Sequence, residues 1–80
     1  GIIDQWGAGT TDANGDVFVT FPISFPTAFA SVVANHVGGD GAVVILVGGS
    51  GTKQGCRFRV RNMDGQAMAG WGVYYFAKGY

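Results

Sequence analysis

The chain has 80 residues, of which 48% are hydrophobic and only 12% are charged, with five basic and five acidic side chains. This length allows one domain, residues 1–80, and the balanced charge argues against a phosphate-driven grip on nucleic acid. No apolar run approaches the ~20 residues of a membrane-spanning helix, so membrane insertion is not expected, and the single cysteine excludes an internal disulfide.

The surplus of apolar residues is unusual for so short a chain. A domain of this size buries only about 60% of the surface that its unfolded chain exposes, so its composition should be more polar. The surplus predicts that some apolar side chains are buried against other copies of the chain, because oligomerisation commonly stabilises scaffolds without disulfides or metals. A ligand groove would account for part of the same surplus.

Strand signals recur at roughly ten-residue spacing, and no stretch keeps a helical period. The predicted strands cover residues 2–6, 17–21, 31–37, 42–47, 56–62 and 70–80. This pattern predicts a small all-β domain of about six antiparallel strands, either a sandwich or a barrel. Gly7 and Gly9 are expected to end the first strand, and Pro22 and Pro26 predict an irregular link after the second.

Two strands of the second half have distinctive patterns. Residues 42–47 are continuously apolar, which predicts that both faces of this strand are covered. Residues 56–62 alternate strictly, so that Cys56, Phe58 and Val60 point inward and Cys56 is an inert buried thiol.

The outward positions of the same strand carry the only arginines of the chain, which are Arg57, Arg59 and Arg61. Period-two spacing places the three guanidinium groups on one sheet face. Such a cationic strip can hold acidic sugars or phosphates by paired hydrogen bonds. A solvated outer face and salt bridges between chains are the alternatives.

Other candidate binding residues are aromatic or lie in polar loops. Trp71 and Tyr74 can stack on sugar faces, although aromatic residues in strands more often pack in the core or at a subunit interface. His36 can donate and accept hydrogen bonds, with an ordinary surface position or an axial metal site in an oligomer as alternatives. The loop candidates are Asp40, Asn62 and Asp64.

The acidic residues show no catalytic pattern. They lie mostly in predicted turns, where Asp is common, and no nucleophile-elbow motif is present. The sequence therefore predicts a protein that is not an enzyme and that has no cofactor and no metal site.

Three motifs resemble a C-terminal domain found on bacteriophage tail fibres. Residues 2–7 (IIDQWG) resemble the IIQWG start of that family, residues 19–28 (VTFPISFPTA) resemble its VTFPIAFPTA signature, and residues 75–80 (YFAKGY) are similar to its WxAIGY ending. Residues 32–62 match only as a pattern of strands. The departures within the motifs are Asp4, Tyr75 and Lys78.

The resemblance implies a trimeric β-sandwich at the distal end of a fibre, carried on the virion and made in the bacterial cytoplasm. Its implied partners are two sister copies, the rest of the fibre, and a host-surface glycan, lipopolysaccharide or surface protein. At the level of fold it is also similar to the H-type lectins, although fold does not determine function. The predicted function is receptor binding, and the alternative is a structural module that trimerises or caps the fibre.

Overall fold

The computed structural model describes residues 1–80 as two three-stranded antiparallel sheets packed face to face. The strands are β1 (Ile3–Thr10), β2 (Asp16–Thr20), β3 (Phe29–Val37), β4 (Ala42–Leu46), β5 (Gly55–Asn62) and β6 (Gly72–Gly79). Sheet 1 has the order β1-β6-β3, and sheet 2 has the order β2-β5-β4. The predicted six-stranded all-β sandwich is confirmed, and no helix is present that could cross a membrane.

The core lies between the two central strands, β5 and β6. Alternate residues point inward along each strand, because successive side chains of a strand face opposite sides of the sheet. Burial raises the pKa of the Cys56 thiol to about 11 and also raises the pKa of Tyr75, as expected for groups whose charged forms lose water. The buried core residues are Val17, Val19, Phe21, Phe25, Cys56, Phe58, Val60, Val73, Tyr75 and Ala77.

The prediction that Gly7 and Gly9 end the first strand is wrong, since β1 continues to Thr10. Both glycines leave room for core side chains that arrive from other strands. A Cβ at Gly7 would lie 2.6 Å from the hydroxyl oxygen of Tyr75, and one at Gly9 would lie 2.5 Å from Cγ1 of Val17. These glycines therefore serve packing within a strand rather than a turn.

The prediction that both faces of residues 42–47 are covered is wrong for the single chain. β4 is an edge strand of sheet 2, and its outward residues Val43 and Ile45 are 46% and 49% exposed. The run is continuously apolar although this chain supplies cover for only one of its faces.

The link between β2 and β3 is irregular, as the two prolines predict. It is fixed at two points. Phe21 and Phe25 enter the core with their ring centroids 5.2 Å apart, and the buried Gln5 amide donates to the Ile23 carbonyl at 2.6 Å and accepts from the Ile23 N–H at 2.9 Å. The link thus closes one end of the sandwich.

Candidate functional site

The two ends of the sandwich differ in what they carry. The strand registers place both chain termini at one end, together with the loops 21–28 and 47–54. The opposite end carries the three loops 11–15, 38–41 and 63–71. We call these the terminal end and the loop end.

The loop end contains a cleft of about 290 Å³ between the loops 38–41 and 63–71. Four of the candidate residues that the sequence predicted line this cleft. A fifth candidate, His36, stacks on Trp71, which is one of the four. We call it the loop-end cleft, and its lining residues are Asp40, Gly41, Asn62, Met63, Asp64, Met68 and Trp71.

Trp71 is held in the cleft by contacts on several sides. The His36 imidazole stacks on the indole with ring centroids 4.5 Å apart, and His36 Nδ1 donates to the Gly72 carbonyl at 3.1 Å. The backbone N–H of Trp71 donates to the hydroxyl of Thr11 at 2.8 Å. That hydroxyl in turn donates to the Met68 carbonyl at 2.6 Å. One face of the indole is therefore covered by a rigid support.

Thr11 is the residue that ties the 63–71 loop to the sandwich. Its side chain is buried, and its backbone exchanges hydrogen bonds with Trp71 and Gly70.

The substitution Thr11→Val keeps the shape of the side chain but leaves a loop N–H and a loop C=O unpaired, which should cost about 2 kcal/mol of stability. Urea denaturation checks this, with the exposed neighbour Thr10→Val as the matched control. Equal unfolding midpoints for the two variants would contradict this role of Thr11.

The polar residues of the cleft divide into structural and free groups. Asn62 Oδ1 accepts from the N–H groups of Asp64 and Gln66 at 3.0 and 2.9 Å, and Asn62 Nδ2 donates to the Gln66 side chain at 3.1 Å. Asn62 therefore organises the turn. The carboxylates of Asp40 and Asp64 are exposed, while the two ion pairs of the chain use other aspartates. They remain able to accept hydrogen bonds from a ligand.

The three arginines do lie on the outer face of sheet 2, as predicted, but their surroundings differ. Arg59 Nε pairs with the Asp16 carboxylate at 3.2 Å. Arg61 Nη1 donates to the carbonyls of Val60 and Asn14 at 2.9 and 3.2 Å. Only Arg57 has neither an anionic partner nor an acceptor for its buried Nε. One guanidinium of the strip is therefore neutralised by an ion pair, one is bound to backbone carbonyls, and only that of Arg57 has no hydrogen-bond acceptor.

Tyr74 lies apart from the other candidates, on the outer face of sheet 1. Trp6, Val33 and Phe76 form one row across the three strands of that sheet, and Trp6 and Phe76 are nearly parallel with centroids 6.3 Å apart. Trp6 is 68% exposed. We call Trp6, Val33, Tyr74 and Phe76 the aromatic face.

No pattern in the sequence indicates that Thr11 or Met68 takes part in the cleft. Each reaches it through contacts with residues far along the chain, such as the bond from Thr11 to Met68 across 57 positions. Chemically, the cleft offers an indole ring, two thioethers and two carboxylates. This set can stack on an apolar ring face and accept hydrogen bonds from hydroxyl groups. No group of three or more His, Cys, Asp or Glu side chains is arranged to hold a metal ion.

Comparison with known proteins agrees with this fold. A family model described as the putative tail fiber protein gp53-like, C-terminal, matches residues 1–80. A C-terminal fragment of the P. aeruginosa R2 pyocin fiber is 30% identical, with a TM-score of 0.81 over 100% of this chain and 21% of that chain. The corresponding R1 pyocin fiber fragment is 32% identical, with a TM-score of 0.75 over 100% of this chain and 24% of that chain.

A shorter relative is covered more fully. The N-truncated R1-type pyocin tail fiber is 30% identical, with a TM-score of 0.77, and the match covers 100% of this chain and 72% of that chain. The chain therefore spans about a fifth to a quarter of the two longer fibre fragments. None of the curated proteins compared with the chain matches it.

Proposed function

The chain belongs to the gp53-like family of tail-fibre C-terminal domains, and on that premise we propose that it binds a host-surface glycan through the loop-end cleft. The protein acts by recognition and not as an enzyme, on a phage or pyocin particle assembled in the bacterial cytoplasm. The observation that carries this proposal is the position of the cleft, at the opposite end of the sandwich from both termini.

That position matters because of how a domain is attached to a fibre. Any chain that precedes Ile3 or follows Gly79 joins the sandwich at the terminal end. The loops 38–41 and 63–71 then face away from the attachment point. Binding residues are commonly carried by loops on a rigid sheet scaffold, and Thr11 holds the longer of these loops on the scaffold.

The chemistry of the cleft favours a saccharide with free hydroxyl groups. The supported indole of Trp71 offers an apolar surface for a sugar ring. The carboxylates of Asp40 and Asp64 accept hydrogen bonds from hydroxyls, and charge-assisted bonds of this kind are the strong ones. Two negative charges also disfavour phosphate or uronate groups at this position. The ligand we propose is therefore a neutral part of lipopolysaccharide or of a capsule.

We propose that the functional unit is a homotrimer, in which several weak sites act together through avidity. The exposed apolar residues of the single chain support association between copies. On the aromatic face, Trp6 and Val33 are 68% and 67% exposed. Contiguous apolar patches of this kind on soluble proteins commonly mark interaction sites.

The direct test is competition for the host. The purified protein, in its oligomeric form, should block adsorption of particles that carry the same fibre tip, and it should bind host cells and their purified surface polysaccharide. Protein that is folded and oligomeric but neither binds host cells nor blocks adsorption would contradict the proposal.

The aromatic face also favours a second candidate function, a structural module that joins or caps the fibre chains. Deletion of the domain separates the two functions. Receptor binding predicts assembled fibres that no longer adsorb to cells. A purely structural role predicts that fibres fail to assemble.

A further inference from the structure

A second cleft lies at the terminal end, on the opposite side of the molecule from the loop-end cleft. It has a volume of about 500 Å³ and is formed by the end of β2, the start of β5 and the loop between β4 and β5. No carboxylate lines it. The lining residues are Phe18, Val19, Thr20, Val47, Gly48, Gly49, Ser50, Thr52, Gln54, Gly55, Cys56 and Arg57, and we call it the Arg57 pocket.

The guanidinium of Arg57 is the one cationic group of this pocket, and it lacks the partners that its neighbours have. Its Cζ lies 5.6 Å from the ring centroid of Phe18, so the aromatic ring helps to position it. Its Nε is buried and has no hydrogen-bond acceptor. Arg59, two residues along the strand, is satisfied by Asp16.

A buried donor without an acceptor is costly, typically about 1–3 kcal/mol and more when the group is charged. Native proteins therefore keep few such groups, and each one calls for an explanation. The part of the guanidinium that lines the pocket can donate to a bound oxyanion, because a planar guanidinium matches the paired oxygens of a carboxylate or a phosphate.

The loop 47–54, which forms one wall of the pocket, is held by hydrogen bonds within the chain. The Ser50 hydroxyl donates to the Val47 carbonyl at 2.7 Å and accepts from the Arg57 N–H at 3.1 Å. The Thr52 hydroxyl accepts from the N–H groups of Gln54 and Gly55 at 3.2 and 3.1 Å. Because the loop is already ordered, binding of an anion does not carry the free-energy cost of ordering it.

We infer that the Arg57 pocket is a binding site for an oxyanion, either a carboxylate or a phosphate group, that is separate from the loop-end cleft. The Arg57 guanidinium donates to the anion, with the Gln54 amide and the Thr20 hydroxyl as further donors on the lining. This site does not depend on the proposed receptor function, since it lies at the other end of the sandwich and has the opposite charge.

The test is an NMR titration of the ¹⁵N-labelled full chain at low ionic strength with three probes. Inorganic phosphate and glucuronate should give saturable shifts at Gly55, Arg57 and the loop 48–54, with a Kd in the millimolar range (about 4 kcal/mol of binding free energy). Glucose, which has no charge, should give none. Stronger binding of glucuronate than of phosphate would identify an acidic saccharide as the source of the anion, and the reverse would identify phosphate.

Variants separate a built site from general charge attraction. Arg57→Gln should weaken binding of both anions at least about tenfold, and Arg57→Lys should weaken it less, because the charge stays and the paired donors go. Lys78→Gln changes the net charge equally on the outer face of sheet 1 and should leave binding unchanged. Equal binding by Arg57→Gln and the parent chain would overturn the inference. So would Arg57→Gln dissociating the oligomer while no anion binds the parent, because Arg57 would then pair with a carboxylate of a sister copy.

Discussion

Replacing Gly55 with alanine should destabilise the domain by at least about 3 kcal/mol, the scale of severe overpacking in a fixed structure. Gly55 pairs with Thr20 at the start of β5, and a Cβ there would overlap the carbonyl oxygen of Val19. Both atoms belong to backbones that are held in the same sheet, so neither can move aside without breaking the pairing of β2 with β5. A domain of 80 residues has only ~4–12 kcal/mol of stability. The substitution can therefore unfold the domain.

The matched control is Gly48→Ala, which adds the same methyl group in the neighbouring loop. A Cβ at Gly48 meets nothing within 4 Å, so this change should stay within about 0.5 kcal/mol. Urea denaturation followed by tryptophan fluorescence measures both variants. If Gly55→Ala unfolds at the same urea concentration as Gly48→Ala, the close approach of β2 to β5 is not as described.

The double substitution Asp40→Asn and Asp64→Asn should reduce affinity for the host glycan at least about tenfold per site, because hydrogen bonds to charged groups contribute about 1.5–3 kcal/mol each. The changes keep the shape of the cleft and remove only the two charges. Binding to whole cells should fall further, since avidity multiplies the loss at each copy. Surface plasmon resonance on purified polysaccharide, together with an adsorption assay, measures the two effects.

The substitution Asp4→Asn is the control for loss of a surface charge. Asp4 lies on sheet 1, 3.7 Å from Lys78, and both side chains are 48% exposed, a kind of pair that contributes little to stability. The Asp4→Asn variant should bind the glycan with the same affinity as the parent chain. Normal binding by the double variant, or an equal loss in Asp4→Asn, would remove the two cleft carboxylates from the site.

The sandwich could be predicted because its strands alternate in a way that only a sheet satisfies. Cys56, Phe58 and Val60 point inward for this reason, and the arginines between them point outward. The role of Gly7 could not be predicted from the sequence. Its role depends on Tyr75, which is remote in sequence, and a glycine that makes room for a distant side chain looks like one that breaks a strand.

The candidate site was foreseen in part. The loop residues Asp40 and Asp64 and the aromatic Trp71 meet in one cleft, because alternate connections between antiparallel strands lie at the same end of the sandwich. Alternation alone could not show that Arg59 is neutralised across the sheet by Asp16 and that Arg57 is not. That difference comes from the pairing of β2 with β5, which cannot be predicted from the alternation of residues along one strand.

The two tryptophans of the chain offer the most direct measurement, because each reports on a different surface. Trp71 lines the loop-end cleft and Trp6 lies on the aromatic face. In the oligomer labelled with 5-fluorotryptophan, an oligosaccharide released from the host surface polysaccharide should shift the ¹⁹F resonance of Trp71 in a saturable way and leave that of Trp6 in place. A saturable shift at Trp6 with none at Trp71 would contradict recognition at the loop end.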